Sequence, residues 1–262
     1  KESKARRGNL KYIGAYGADP QYQGFSGYLC ELLILYYGDF LKTLEKVGNW
    51  QTPVRIVLDQ QDIDALAQFE DALVVIDPVD KKRNAASAVS LTQLSRFIAA
   101  SRAFLFNPTT DFFSKAPKEQ SYHQLVTWVN NTSLVAIEFE VKDILKDIVW
   151  SKLRKFSARL VNALESQKFS VLKSGIYYEE KEDFAYIFLM TDALTQPKLE
   201  KVIGPFVSDM SNSQKFIDSS KAIYGPYIQD DRWYCIKARK FTDIKEFEIG
   251  RASCRERVFS SV

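Results

Sequence analysis

The sequence has 262 residues, of which 46% are hydrophobic and 26% are charged, a composition ordinary for globular proteins and long enough for one large domain or two smaller ones. The formal charge of +3 is too small for the whole chain to be classed as nucleic-acid-binding by charge alone. No apolar run is long enough to span a bilayer, and Cys30 and Cys235 lie far apart without a metal-ligand spacing, which favours a reducing cytoplasm.

The first part of the chain shows helical patterns around one short strand. A helix end is predicted near Leu10–Tyr16, and a single helix, apolar almost all round, is predicted from an N-cap at Ser26 to about Val47. Within that helix Glu31 is expected to be buried and to have a partner. Residues 72–76 predict a buried strand, and a helix is expected from Ser90 to Phe106, ended by Asn107-Pro108.

Helices and hairpins are mixed in the second part of the chain. We predict a helix over 122–130, a strand over 133–140 and an amphipathic helix with apolar positions between 148 and 164. Hairpins are predicted from strands at 169–178 and 184–189, and at 227–228 and 233–240, with a helix over 213–222 between them. The expected fold class is therefore α+β, with a helical domain at 1–107 and an antiparallel α+β domain at 118–248.

The last stretch, 249–262, resembles a sequencing adapter translated in one reading frame and is expected to be a non-native tail. It includes Cys254, and its three arginines against one glutamate contribute +2, so the charge without it is about +1. The first residues begin in the middle of a pattern, without an initiator Met. Both ends are therefore expected to be truncated.

Three segments, taken in this order and spacing, resemble the archaeal-type CCA-adding enzymes. They are Gly14-Ala15-Tyr16-Gly17-Ala18, Gly24-Phe25-Ser26-Gly27-Tyr28-Leu29-Cys30-Glu31-Leu32-Leu33 and Asp77-Pro78-Val79-Asp80-Lys81-Lys82-Arg83-Asn84-Ala85-Ala86. The resemblance implies a helical central domain that covers CTP or ATP, followed by body and tail regions that hold tRNA. It also implies Mg²⁺ bound by carboxylates of a head domain that this chain lacks, so the chain by itself is expected to be inactive, with no catalytic or metal residue of its own.

The resemblance assigns roles to three residues. Tyr16 matches a tyrosine that touches the bound nucleotide, and Arg7 stands where the family has a lysine on the triphosphate. Arg83 matches an arginine that recognises the C and A bases, for which the fixed fork of donors in a guanidinium is suited. We expect Asp77 and Asp80 to orient Arg83 and its turn, and Tyr16 and Arg83 to face one nucleotide-sized gap.

Other residues have weaker signals. Lys152, Arg154, Lys155 and Arg159 on one helix are equally compatible with contacts to RNA phosphates and with a solvated face. Asp62 and Asp64 have the spacing of a metal-binding pair, but the helical pattern after them and the lack of a preceding Gly-Ser turn argue against metal binding. The single histidine, His123, is expected to lie on the surface or in helix packing.

Three alternatives remain open from the sequence. They are a poly(A) polymerase-like nucleotidyltransferase, a non-catalytic RNA-binding module and a purely structural helical protein. The Arg-Asn-Ala-Ala turn after Asp-Pro-Val-Asp argues against the first. Assembly into a homodimer is also left open.

Overall fold

The computed structural model describes residues 10–11, 13–113, 131–141, 144–246 and 254–259, the last range by its backbone only. The chain divides between residues 121 and 122 into two compact units, called unit 1 and unit 2. None of the helices in these ranges is long and apolar enough to cross a membrane. The predicted helix over 122–130, with His123, and the candidate Arg7 lie outside the described residues.

The described residues of unit 1 include three α-helices and a small parallel sheet. The helices are α1 (Gly27–Tyr37), α2 (Phe40–Gly48) and α3 (Leu91–Phe106). Strands β1 (Val54–Ile56) and β2 (Leu73–Val75) pair in parallel, and a 3-10 helix, Gln60–Gln68, connects them. The prediction of β2 and of α3 with its Ser90 cap is confirmed, whereas β1 was not predicted.

The prediction of a single long helix from Ser26 to Val47 is wrong, because α1 ends before Gly38 and a second helix begins at Phe40. Gly38 has a φ of 96°, which glycine adopts without steric cost, and Asp39 then caps the new helix through Lys42 N–H. The burial of α1 is also one-sided: Leu29, Cys30, Leu32 and Leu33 are buried, and Leu35 is 70% exposed. Glu31 is exposed rather than buried, since it lies off this stripe.

Aromatic side chains fill the core of unit 1 where the helices meet. The Phe97 ring contacts Phe25 edge-on at a centroid distance of 4.9 Å, and Trp50 lies 6.3 Å from Phe97. The buried indole of Trp50 donates a hydrogen bond of 3.0 Å to the Tyr37 hydroxyl. Arg102 Nε of α3 donates to the carbonyl of Gly48 at the end of α2, so the two helices are joined by packing and by a polar cap.

In the part of unit 2 that the structure describes, two antiparallel sheets each pack with one helix. The first sheet has the order β4-β5-β3-β9, from β3 (Ser133–Glu140), β4 (Val171–Glu179), β5 (Phe184–Thr191) and β9 (Cys254–Phe259). Helix α4 (Lys146–Ser166) packs against β4 and β5. Burial alternates along β5, so one face of this sheet supplies Ile187 and Leu189 to the core. The predicted strand, helix and hairpin are confirmed here.

The second sheet of unit 2 has the order β6-β8-β7. Its elements are β6 (Leu199–Phe206), α5 (Met210–Ser219), β7 (Tyr224–Gln229) and β8 (Arg232–Ala238). The predicted β7–β8 hairpin is confirmed, and β6 was not predicted. The α+β class is confirmed for the described structure.

The stretch 249–262, which is expected to be a non-native tail, contributes β9, whose residues 254–259 pair antiparallel with β3. The hydrogen bonds of a β-ladder are made by backbone groups of any sequence. The pairing is therefore compatible with a segment of foreign origin, and that origin stays a prediction.

Candidate functional site

The loop that carries Tyr16 is held by a close approach of two backbone segments. Gly14 and Gly17 have φ angles of 69° and 120°, which favour glycine. Opposite them, a Cβ atom on Gly24 would lie 2.1 Å from the carbonyl oxygen of Ala15, so no larger residue fits there without a backbone shift. Gly14, Gly17 and Gly24 of the first two motif segments are therefore required by this backbone conformation.

Tyr16 lies half-buried beside the start of α1. Its backbone forms a parallel bridge with Phe25, and Lys11 Nζ lies 5.3 Å from the centroid of its ring. A Cβ on Gly27 would lie 3.4 Å from the Tyr16 hydroxyl oxygen, which places that hydroxyl against the first residue of α1. Ser26 caps the same helix by accepting a hydrogen bond from Leu29 N–H.

Arg83 is anchored through a buried carboxylate. Its guanidinium NH1 lies 3.4 Å from Asp77 Oδ2; the Arg83 side chain is 64% exposed and that of Asp77 only 3%. The other oxygen, Asp77 Oδ1, accepts hydrogen bonds from the Tyr28 hydroxyl at 2.7 Å and from Val79 N–H at 2.9 Å. Since a guanidinium has five N–H donors, most of the hydrogen-bonding capacity of Arg83 faces solvent.

The charge of Asp77 is maintained despite its burial. Burial by itself raises the pKa of this carboxyl, but the hydrogen bonds from Val79 and Tyr28 and the charge of Arg83 together hold the pKa below its ordinary value. The same hydrogen bond, with burial adding to it, raises the pKa of the Tyr28 hydroxyl. Asp77 is therefore ionised and Tyr28 protonated near neutral pH, which keeps the hydrogen bond and the ion pair intact.

The backbone of this turn is fixed by Asn84, which is 3% exposed. Its side-chain oxygen accepts from Val75 N–H and Ala86 N–H, and its amide group donates to Asp71 Oδ2 and the Leu73 carbonyl. All four hydrogen-bonding positions of the side chain are used, so the turn that ends in Arg83 is tied to strand β2. Asp80 acts on the turn itself, because its side chain accepts from Lys82 N–H and its carbonyl from Arg83 N–H.

Tyr16 and Arg83 are brought to the same helix end. Gly27 adjoins the Tyr16 hydroxyl, and the next residue, Tyr28, binds the carboxylate that anchors Arg83. A groove of about 690 Å³ begins at Tyr28 and follows α1 past Leu32 and Leu35, and neither Tyr16 nor Arg83 lines it. A gap shared by the two side chains stays a prediction.

The contributions of Tyr28 and Asn84 were missed by sequence reasoning. Both occur inside the motif segments, but the contact between Tyr28 and Asp77 joins residues 49 positions apart. Tyr28 did carry one local signal: its polar-tipped ring lies in the first turn of a mostly apolar helix.

The four basic candidates on α4 do not form one set. Lys152, Lys155 and Arg159 are exposed and, at about 100° per residue, lie within one sector of the helix surface. Arg154 lies on another side, half-buried, with its guanidinium carbon 6.0 Å from the centroid of the Trp150 ring. Burial lowers the pKa of Arg154 from its ordinary value. An RNA contact made by Arg154 would therefore lie on a different side of α4 from contacts made by the other three residues, and all four contacts stay predictions.

Asp62 and Asp64 lie in different surroundings. Both are in the 3-10 helix after β1, where Asp62 is buried and forms an ion pair with Lys81, and Asp64 is exposed. Among the described residues, no group of three or more His, Cys, Asp or Glu side chains could hold a metal ion.

Comparison with known protein families then identifies both units. Residues 4–114 match the family model described as tRNA nucleotidyltransferase, second domain. Residues 130–255 match that of the CCA-adding enzyme, C-terminal domain. The chain belongs to the family of archaeal CCA-adding enzymes.

Individual CCA-adding enzymes are similar over most of this chain. That of Archaeoglobus fulgidus is 34% identical over 251 residues, which cover 94% of this chain and 56% of the relative. Those of Pyrobaculum islandicum and Methanopyrus kandleri are 36% and 38% identical and cover 90% and 78% of this chain, and 54% and 45% of the relatives. The chain thus spans about half the length of these CCA-adding enzymes.

Proposed function

We propose that this chain is the part of a CCA tRNA nucleotidyltransferase that covers the incoming CTP or ATP and holds the tRNA. The observation that carries the proposal is the anchoring of Arg83. A buried, ionised Asp77 fixes the guanidinium at one nitrogen, and the exposed remainder can donate to the acceptor-rich edges of a cytosine or adenine base. Tyr16, at the same end of α1, contributes a ring against which the nucleotide packs.

In the proposed reaction the 3′-hydroxyl of the RNA attacks the α-phosphate of the nucleotide, and pyrophosphate leaves. Positioning and charge neutralisation are the main tasks of a protein in such a transfer. Arg83 and Tyr16 would hold the base and sugar, and Arg7 would neutralise the triphosphate. A bound metal ion, proposed to be Mg²⁺, supplies charge stabilisation for the attacking and leaving oxygens.

The described residues do not fit the metal. Asp62 is buried and paired with Lys81, whereas Asp64 is exposed. We therefore assign the metal carboxylates to the remaining part of the longer protein, and propose that this chain alone does not transfer nucleotides. We further propose that the chain divides into domains at 1–107 and 118–248. The two buried free cysteines favour a cytoplasmic location. A homodimer is also proposed and can be tested by light scattering.

The role of Arg83 is tested by nucleotide incorporation in the intact parent enzyme. Arg83→Ala removes hydrogen bonds from a charged donor, each contributing about 1.5–3 kcal/mol, so kcat/KM for C and A addition should fall by about 10-fold or more. Arg96→Ala removes an exposed arginine from α3 and serves as the control. Incorporation that is equal in the two variants would contradict the assignment.

Tyr28→Phe tests the anchor separately. The variant keeps the ring and removes one hydroxyl, so Asp77 retains Val79 N–H but holds Arg83 less firmly. We expect incorporation to fall by a smaller factor than in Arg83→Ala, with the fold unchanged by circular dichroism. An incorporation rate equal to wild type would show that the hydrogen bond does not position Arg83.

The proposed RNA contacts of α4 predict a salt effect. Changing Lys155 and Arg159 to Gln should reduce the slope of log K for tRNA against log salt by about 1.4–1.8, because each phosphate contact releases counterions. Lys42 and Lys46 have the same spacing on α2, and their double change to Gln is the control. Equal slopes for the two double variants would assign Lys155 and Arg159 to the solvated face.

A further inference from the structure

The sheet β6-β8-β7 has two chemically different faces. Helix α5 covers one face: Trp233 Nε1 donates a 3.0 Å hydrogen bond to Ser213 Oγ, and the Phe216 ring packs over Gly204, where a Cβ would lie 2.9 Å from it. Because neighbouring residues of a strand point to opposite faces, Tyr234 lies on the other face. The registered pairs Tyr234↔Ile203 and Tyr227↔Tyr234 place Ile203 and Tyr227 there too.

Three tyrosines form a continuous surface on this open face. The rings of Tyr227 and Tyr234 are stacked, with centroids 5.9 Å apart and planes 23° apart. Tyr224 follows at 5.6 Å from Tyr227 and is 64% exposed. Ile203, also 64% exposed, continues the surface on β6. Rings in the middle of a sheet are normally covered, so this surface is suited to receive a flat partner.

The charges around the tyrosines are positive. Lys201 Nζ lies 4.2 Å from the centroid of the Tyr234 ring and donates to Gln229 Oε1 at 2.8 Å. The guanidinium carbon of Arg232 lies 3.6 Å from the centroid of the Phe206 ring.

The carboxylates of these three strands and of the β7–β8 turn lie off the open face. In the three strands the only carboxylate is Glu200. Its pairing with Lys237 places it on the side of α5. Asp230 and Asp231 occupy the turn beyond the end of the face.

We propose that this open face binds RNA bases that are exposed outside a duplex, with Tyr224, Tyr227 and Tyr234 stacking on them. Every base has a π-face that an aromatic ring can stack on, and single-stranded RNA is commonly bound by such rings beside cations. Lys201 and Arg232 are placed to receive the phosphates that follow the stacked bases. The inference rests on the proposed function, since it assumes that the chain binds RNA.

The test measures fluorescence anisotropy of two labelled RNA hairpins with the 262-residue chain. Both hairpins have the same stem sequence and a blunt end. One has a loop of seven unpaired bases, and the other is closed by a short stable loop. Tyr234→Ala and Tyr224→Ala should each weaken binding to the seven-base loop by about fivefold or more, and leave the duplex affinity unchanged. Tyr224 is exposed, so its variant retains the fold even where Tyr234→Ala does not.

Two controls separate stacking from other causes. Tyr227→Phe keeps the ring and should bind the seven-base loop as the wild type does. Tyr177→Ala removes a tyrosine that is 48% exposed on β4, on the other sheet, and should have no effect. Loss of affinity for both hairpins in Tyr224→Ala, or for neither, would overturn the inference.

The result also distinguishes this inference from the proposed function. If the wild-type chain binds tRNA and the tyrosine variants bind it equally well, the stacking face is refuted and the proposed function is not. Wild-type chain that binds neither hairpin nor tRNA refutes the proposed RNA binding itself. Self-association that is lost in Tyr224→Ala, without any effect on RNA, would assign the face to a second copy of the chain and overturn the inference.

Discussion

Asn84→Ala is expected to unfold the turn of Arg83 locally and to destabilise unit 1. The side chain makes four hydrogen bonds in a position that is 3% exposed. Alanine leaves the N–H groups of Val75 and Ala86 without this partner, and both residues are almost fully buried. Water therefore cannot replace the missing oxygen without opening the strand.

The magnitude follows from counting these groups. Each buried amide left unpaired costs about 1–3 kcal/mol, and each of the two donated bonds contributes about 0.5–1 kcal/mol. The low ends of these ranges sum to about 3 kcal/mol. A single domain is stable by only about 5–15 kcal/mol, so this loss is a large fraction of the stability of unit 1.

Hydrogen exchange read by mass spectrometry locates the effect. Peptides spanning 72–88 should exchange about 100-fold faster in Asn84→Ala, because 1.4 kcal/mol corresponds to a factor of ten. Peptides of β3 in unit 2 should be unaffected. Asn49→Ala is the matched control: Asn49 is exposed and donates one hydrogen bond, to the Glu45 carbonyl. If 72–88 exchanged alike in the two variants, Asn84 would not support the turn.

Three further predictions concern stability. Gly24→Ala should lower the melting temperature, because its Cβ would lie 2.1 Å from the carbonyl oxygen of Ala15. Gly175→Ala is the control and should not lower it, because no atom lies within 4 Å of its Cβ. Equal melting temperatures for the two variants would refute the close backbone approach at Gly24. Glu200→Gln should cost about 1 kcal/mol at pH 7, because the hydrogen bond from Lys168 holds the pKa of Glu200 below its ordinary value. That stability is present above the ordinary pKa of a glutamate and is lost as the pH falls through the lowered value, so wild type and variant should converge in acid; a constant difference in melting temperature would contradict this. Deleting 249–262 should leave the melting temperature unchanged, and a clear drop would show that β9 stabilises the sheet.

Helices and strands could be predicted from the sequence where residues next to them in the chain determine their ends. Ser26 and Ser90 cap α1 and α3 in the structure, and Asn107-Pro108 ends α3. The hairpins of unit 2 were predictable for the same reason, since strand propensity and turn residues act over a few positions. The break at Gly38 was missed because the apolar run continues through it, and a glycine within such a run is tolerated in many helices.

Two strands had no clear local signal. β1 has three residues, too few to show a period. β6 contains Gly204 and Pro205, which disfavour strands, and its register with β8 shifts at that point. Both strands form because a partner strand offers unpaired hydrogen-bonding groups, which is a property of the folded chain.

The order and spacing of the motif residues determined the family of this protein and marked Tyr16 and Arg83, because those features are written in the chain itself. Only the tertiary structure decided that Tyr28 and Asp77 anchor Arg83, that Arg154 turns away from its neighbours on α4, and which face of β6-β8-β7 is left open. Each of these depends on which distant groups meet and exclude water. Burial and pairing of that kind are set by the whole fold and not by the residues next in sequence.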